Sequence, residues 1–208
     1  LIKNILRWGT AYGSSRSSNI KLTAYENGET FLANYIKSEA ALTVSSGMLA
    51  GKLALEVLTS QTDCFFHFPD THSALKVSTS FPFFVENKIN PRLLDPVSEK
   101  ITILTDSVPS FRTQAIDLSI LNSIPSNKKI TLLVDESHSL GILGTNGCGI
   151  YSDISLPTIK RKIMIASLGK AFGLTGGVIA SDKDFINEMR SLDTFVSSAG
   201  MNAAFVQT

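Results

Sequence analysis

The sequence predicts an α/β domain with a mainly parallel sheet flanked by helices. Three observations carry this. The runs KITILTD (100–106), KKITLLVDE (128–136) and KRKIMIAS (160–167) are apolar throughout their middles rather than alternating, and each leads into polar residues. Continuous apolar strands are those buried on both faces, as in parallel sheets covered by helices. The segments between them are long enough for crossover connections, and the stretch 40–58 reads as strand, tight turn, helix.

Taken in order, 26–37 has helical spacing, with Phe31, Leu32, Tyr35 and Ile36 as its apolar stripe. Ala40–Val44 is a short strand, SSG a turn, and 48–58 a helix. DCFFHF (63–68) is rich in aromatics and predicts a strand. THSALKV (71–77) suits a helical turn and 81–85 a further strand. Pro91 suits a first helical position, which predicts a helix over 91–99. After the three central runs, GGVIAS (176–181) is a strand, and DKDFINEMRSL (182–192) a helix with Asp182 as N-cap.

The 208 residues suffice for one substantial core, and 43% hydrophobic with 18% charged residues is ordinary globular composition. A net charge of +1 gives no reason to expect nucleic acid or an anionic membrane as partner. No apolar run approaches the ~18 residues needed to span a bilayer, and LIKNILRWGT lacks a signal-peptide cleavage pattern. Two cysteines, Cys64 and Cys148, make no disulfide framework, so a reducing cytoplasmic setting is expected.

In open parallel sheets ligands bind beyond the carboxyl ends of the strands. That directs attention to Ser46 and Gly47, His72, Asp106, Asp135 to His138, and Ser167 to Lys170. Asp135 ends TLLVD, where a carboxylate can pair with a cation held over the sheet; a turn-capping Asp is the plainer alternative. His138, three residues on, can reach the same ligand or be structural. Lys170 lies in ASLGKAFGLTGG, among glycines that shape a loop rather than leave a lysine on open surface. Partial desolvation and nearby positive charge make such an amine nucleophilic. Ser167 can donate to a phosphate, and Ser46, Gly47 and Met48 stand where a strand gives way to a helix, a place that favours anions. An ordinary N-cap explains Ser46 equally well.

Other chemistries fail on pattern. Ala171 replaces the Ser or Thr of a P-loop, and there is no G-x-G-x-x-G after a strand and no G-x-S-x-G elbow. Cys64, His67 and His72 lack a second ligand pair for zinc, so no metal is expected and Cys64 and His67 read as strand residues.

The segments YGSSRSS (12–18), VSSGMLA (44–50), DTHSAL (70–75), TDSVPS (105–110), VDESHSLGILG (134–144) and SLGKAFGLTGG (167–177), in this order, resemble the α-oxoamine synthases. These are fold-type I enzymes, with the large domain of the aspartate aminotransferase-like transferases, that use pyridoxal 5'-phosphate (PLP). They condense an amino acid with an acyl-CoA, most with loss of CO2. The resemblance implies PLP as cofactor and three catalytic residues: Lys170 as the Schiff-base lysine, Asp135 as partner of the pyridine nitrogen, and His72 stacked over the ring. It implies His138 as donor to the ring oxygen, Ser110 near that hydroxyl, and Ser167 with Ser46, Gly47 and Met48 around the phosphate. It also implies a homodimer with the site at its interface, where Ser198 approaches the neighbour's phosphate.

Residues 1–208 then correspond to the PLP-binding large domain, incomplete, with the C-terminal small domain and its carboxylate-binding arginine absent. Whether this fragment alone is active stays open. Asp106 and Pro109 stand where family members commonly have Glu and an apolar residue, and Ser137 where Ala is usual. An 8-amino-7-oxononanoate synthase-like reaction, as in biotin biosynthesis, is the first expectation. An aminotransferase or C–S lyase on the same fold, or a non-catalytic truncated homologue, are the alternatives.

Overall fold

The structure, a computed structural model, describes residues 1–97 and 99–208. Helices α1 (Ile2–Trp8) and α2 (Thr23–Ile36) lead into strand β1 (Ala40–Val44) and helix α3 (Gly47–Thr59). Strand β2 (Cys64–His67), a 3-10 turn at Ser73–Leu75, and the short strands β3 (Phe81–Pro82), β4 (Phe84–Val85) and β5 (Lys88–Ile89) follow. Next come α4 (Pro91–Leu94), β6 (Lys100–Asp106), β7 (Lys129–Asp135), β8 (Ile159–Ser167) and β9 (Gly177–Ser181). Helices α5 (Lys183–Arg190), α6 (Asp193–Ser197) and α7 (Ala203–Val206) close the described order.

Among the described residues one seven-stranded sheet runs β1-β9-β8-β7-β6-β2-β3. β3, β2, β6, β7 and β8 pair in parallel. β9 is antiparallel to both its neighbours, β8 and β1, and is the one reversed strand. The expected mainly parallel α/β sheet is therefore present.

Alternate residues of each strand face opposite layers, as the two-residue pleat requires. Leu133, Ile163, Ile165 and Ile179 pack on α3 and α5, against Leu53, Leu58 and Phe185. On the other face, Met164, Ala166, Val178 and Ala180 meet Ala33 and Ile36 of α2. Ile101, Ile103, Ile130, Leu132 and Val134 continue that face toward Phe66, Phe83 and Leu121. Burial on both faces is why these strands read as unbroken apolar runs. Among the described residues no helix is long and apolar enough to cross a membrane.

The sequence reading needs correction in three places. First, the stripe on α2 is rotated: Phe31 is 67% exposed, and the buried face is Ala24, Tyr25, Gly28, Glu29, Ala33 and Ile36. A charged residue at the centre of that face hid it from a hydrophobic count. Second, 81–85 is not one strand. The Phe83 ring turns into the core, with its centroid 4.2 Å from that of Phe68, and Phe83 N–H donates to His67 O. The chain then pairs β4 with β5 through Glu86 and Asn87, both at positive φ, as a tight hairpin turn demands. Third, the helix expected over 91–99 stops at Leu94. Asp95 precedes Pro96 and is forced extended. Position 98 of that expectation lies outside the described residues.

The reversal of β9 matters for function. β8 finishes at the same end of the sheet as β6 and β7, and the reversal lets the chain re-enter the sheet from that end after the loop 168–176. Val44 pairs with Gly177, so the Ser46 turn after β1 stands at that same end.

Candidate active site

At this end lies a cavity of 220 Å³ lined by Ser46, Gly47, Met48, His72, Ala74, Asp106, Asp135, Ser137, His138, Ser167 and Lys170. Larger hollows lie elsewhere, among them a shallow apolar trough of 840 Å³ around Val85 and Leu94 that holds none of these reactive groups. Chemistry, not volume, singles out the smaller one.

Asp135 ends β7, is 6% exposed, and its Oδ1 accepts the Ser137 N–H at 2.9 Å. Glu136 beneath it anchors the turn that follows. Its Oε2 accepts from Ser139 Oγ and from Ile150 N–H, both at 2.8 Å. Burial raises the Glu136 carboxyl, and these donors oppose the rise. That scaffold delivers His138 to the cavity, where its Nε2 meets Lys170 Nζ at 2.6 Å. Burial and then the Lys170 charge hold the imidazole below its usual range. Lys170 itself is presented by a loop that Leu168 and Leu174 close with backbone hydrogen bonds.

His72 N-caps the 3-10 turn, with its Nδ1 accepting the Ala74 N–H at 3.1 Å. The same Nδ1 lies 4.0 Å from Asp135 Oδ2. Because its lone pair already accepts the Ala74 N–H, that approach is proximity rather than an ion pair. Ser46 N-caps α3, with Oγ accepting from Leu49 N–H. The Ser167 N–H donates to Ser137 Oγ at 2.8 Å, and Ser167 Oγ accepts from Gly169 N–H.

All the sequence-predicted site residues line this cavity except Ser110 and Ser198. Ser110 is exposed but its Oγ lies 3.4 Å from His138 Nε2, at the cavity's edge. Ser198 follows α6, and its Oγ donates to Phe195 O in the same chain. The sequence reading included Asp106 and Ser137 among the strand-end residues but gave neither a role, and both line the cavity. The signal for Asp106 was available: it ends a strand in register with Asp135.

These donors fit PLP. An amine sits at the rim, a buried carboxylate at the strand tip, and an imidazole touches the amine. The N-terminus of α3, thirteen residues long, opens onto the cavity together with two serines. A helix start with hydroxyls suits a phosphate, and a carboxylate suits a ring cation.

The chain is 28% identical over 191 residues to 8-amino-7-oxononanoate synthase of Pseudomonas syringae pv. tomato, covering 88% of this chain and 48% of that protein. It is 28% identical over 218 residues to the same enzyme of Mycolicibacterium smegmatis, covering 98% and 57%. That enzyme is one of the α-oxoamine synthases that the sequence segments resemble. The chain thus spans about half the length of these curated relatives.

Among solved structures, Sphingomonas wittichii serine palmitoyltransferase superposes with a TM-score of 0.80 at 19% identity, over 99% of this chain and 54% of that one. Francisella tularensis 8-amino-7-oxononanoate synthase gives 0.71 at 23% identity, over 99% and 60%. Both share the fold over the superposed length. A family model for class I and II aminotransferases matches residues 88–208, which hold β6 to β9 with Asp106, Asp135, His138 and Lys170. This chain belongs to the class I and II aminotransferase family.

Proposed function

We propose that residues 1–208 are the cofactor-binding large domain of a PLP-dependent acyltransferase of the α-oxoamine synthase type. The reaction joins an amino acid to an acyl-CoA and yields a 2-amino ketone, CO2 and free CoA, as in 8-amino-7-oxononanoate synthase. The observation that supports it most is the convergence of Lys170, His138, His72 and Asp135 on one cavity beside the start of α3. Relatives bearing that enzyme's name add their weight.

PLP, when bound, supplies an electron sink for negative charge developing at the amino acid's α-carbon. The rest is the chain's own work. Lys170 Nζ would hold the cofactor covalently, and it is placed to take the amino acid's α-proton as general base. Asp135, buried at the strand tip, stabilises the protonated ring nitrogen by charge. His138, within reach of the same amine, would donate to the ring oxygen, with Ser110 beside it. His72, in the cavity lining, would stack against the ring. Ser167 and the Ser46–Met48 turn hold the phosphate through hydroxyls and helix N–H groups.

The same reading carries a homodimer in which Ser198 serves the neighbouring site, and a cytoplasmic setting consistent with two free, buried cysteines. The test is a screen of amino acids against acyl-CoAs on the protein carrying this chain, read as thiol release. Alanine with pimeloyl-CoA is the first pair. Thiol release that depends on both substrates supports the proposal. Keto-acid exchange without thiol release points to an aminotransferase, and a colourless protein that takes up no PLP to a non-catalytic homologue; either overturns it.

A further inference from the structure

Asp106 lines the cavity, yet the reaction above gives it no task. It ends β6 directly in register with Asp135 at the end of β7, and it is 3% exposed. Its Oδ1 accepts the backbone N–H of His72 at 3.0 Å. The turn that carries His72 has one further tie to the sheet here: Thr71 Oγ1 donates to Phe68 O at 2.7 Å and approaches Leu104 O at 3.3 Å. The His72 side chain itself is 41% exposed, so packing alone does little to fix it.

We propose that Asp106 is a positioning residue: its side chain anchors the His72 backbone to the tip of β6 and so fixes where the imidazole stands over the cavity. This rests on the reading of the cavity as a PLP site. The charged and titratable groups facing Asp106 are Asp135 from β7, Lys170 from the loop after β8, and Asp70 and His72 from the turn after β2. Burial is the largest influence and pushes Asp106 up to about 7; Asp135 and Asp70 add to the rise, while the His72 N–H and Lys170 oppose it. The anchor thus changes character in the neutral range. Above that value it is a carboxylate, and charge-assisted hydrogen bonds are roughly twice as strong as neutral ones. Below it the bond to His72 is that of a carboxylic acid.

Two measurements on the full chain test this. In the ligand-free, isotope-labelled protein, the His72 amide proton should carry a titration component that shares its midpoint with the Asp106 carboxyl carbon. Asp106→Asn, which keeps an acceptor and the side-chain shape, should remove that component. Absence of a shared component, or its survival in Asp106→Asn, overturns the anchor. Next, PLP affinity is measured by absorbance titration on the basic side of the Asp106 midpoint. Asp106→Ala should bind roughly tenfold more weakly, the loss expected for one hydrogen bond to a charged group, while Asp106→Asn recovers most of it. An Asp106→Ala protein that binds PLP as tightly as the parent overturns the positioning role. If the parent chain takes up no PLP at all, the functional proposal fails, and the amide titration still decides whether Asp106 holds His72.

Discussion

Lys170 Nζ lies 2.6 Å from His138 Nε2, a contact that joins the loop after β8 to the turn after β7. An ammonium has no acceptor, so such a lysine makes this contact only with His138 unprotonated at Nε2. The lysine must shed a proton before it can attack an aldehyde, and this imidazole is the base within reach. His138→Phe is expected to slow PLP capture roughly 100-fold, the lower end of general-base assistance. Because burial and Lys170 lower the imidazole's value, the unprotonated form is present at neutral pH and is lost only in acid, below the ordinary imidazole range. The parent's capture rate should therefore fall with acid along a limb that His138→Phe lacks. Stopped-flow absorbance gives both results. Lys170→Ala should form no borohydride-trapped adduct at all; an adduct in that variant removes Lys170 from the mechanism.

Gly177 begins β9 with its α-carbon against the Ser46 turn. A β-carbon there would lie 2.4 Å from Ser46 O and 2.7 Å from Gly47 N, both backbone atoms that can move only by shifting the turn. Gly177→Ala should therefore push the start of α3 away from Ser167. Overpacking of this kind costs about 1–3 kcal/mol, which a thermal unfolding scan resolves. The phosphate end of the cavity should suffer most, so affinity for PLP should drop more than affinity for unphosphorylated pyridoxal. An equal drop for both ligands means that the turn does not hold the phosphate.

The sheet and most of this cavity were legible because each feature is local. An apolar run followed by Asp135, Lys170 or Ser46 names both a strand and its carboxyl end, and ligands gather at such ends. What was illegible depends on partners distant in sequence. Glu29 looked like the polar side of α2, but it is buried by Arg16 and Arg190. Arg16 sits in YGSSRSS, a segment that resemblance flagged without giving it a role; its guanidinium lies 4.0 Å from the centre of the Tyr25 ring. Phe31, read as core, is exposed for the same reason. Asp106 needed the register of two strands to be seen beside Asp135. The short helices α1, α6 and α7 gave no periodic signal, since a single turn or two is too short to show one.

Asp135 divides its two oxygens: Oδ1 accepts from Ser137 N–H, and Oδ2 faces His72. Asp135→Asn keeps an oxygen for Ser137 but loses the charge that a ring cation needs. The variant should fold with nearly unchanged stability, yet bind PLP with an affinity lower by roughly 1.5–3 kcal/mol, the range for a hydrogen bond to a charged group. Calorimetric titration of PLP beside thermal unfolding separates the two effects. A variant that loses stability and keeps affinity makes Asp135 the turn-capping residue of the plainer reading.

Glu29 makes the strongest claim on stability outside the site. Its Oε1 accepts from Arg16 at 2.7 Å, from Thr43 N–H at 2.7 Å and from Thr43 Oγ1 at 2.8 Å, while Oε2 accepts from Arg190 at 2.7 Å. Burial alone would raise this carboxyl, but Arg16, Arg190 and the Thr43 N–H outweigh it and hold it below the ordinary value. A carboxyl depressed in the folded state stabilises above its unfolded value, and that stability is lost as pH falls through the folded one. Glu29→Gln leaves Arg16 buried without a counter-charge, and breaking a buried pair in this way costs about 3–5 kcal/mol near neutrality. On acidification below about pH 4.5 the parent should lose this advantage, so the two unfolding curves should converge. Denaturant unfolding at a series of pH values measures the gap directly; a gap that stays constant into acid assigns the cost to lost packing rather than to lost charge.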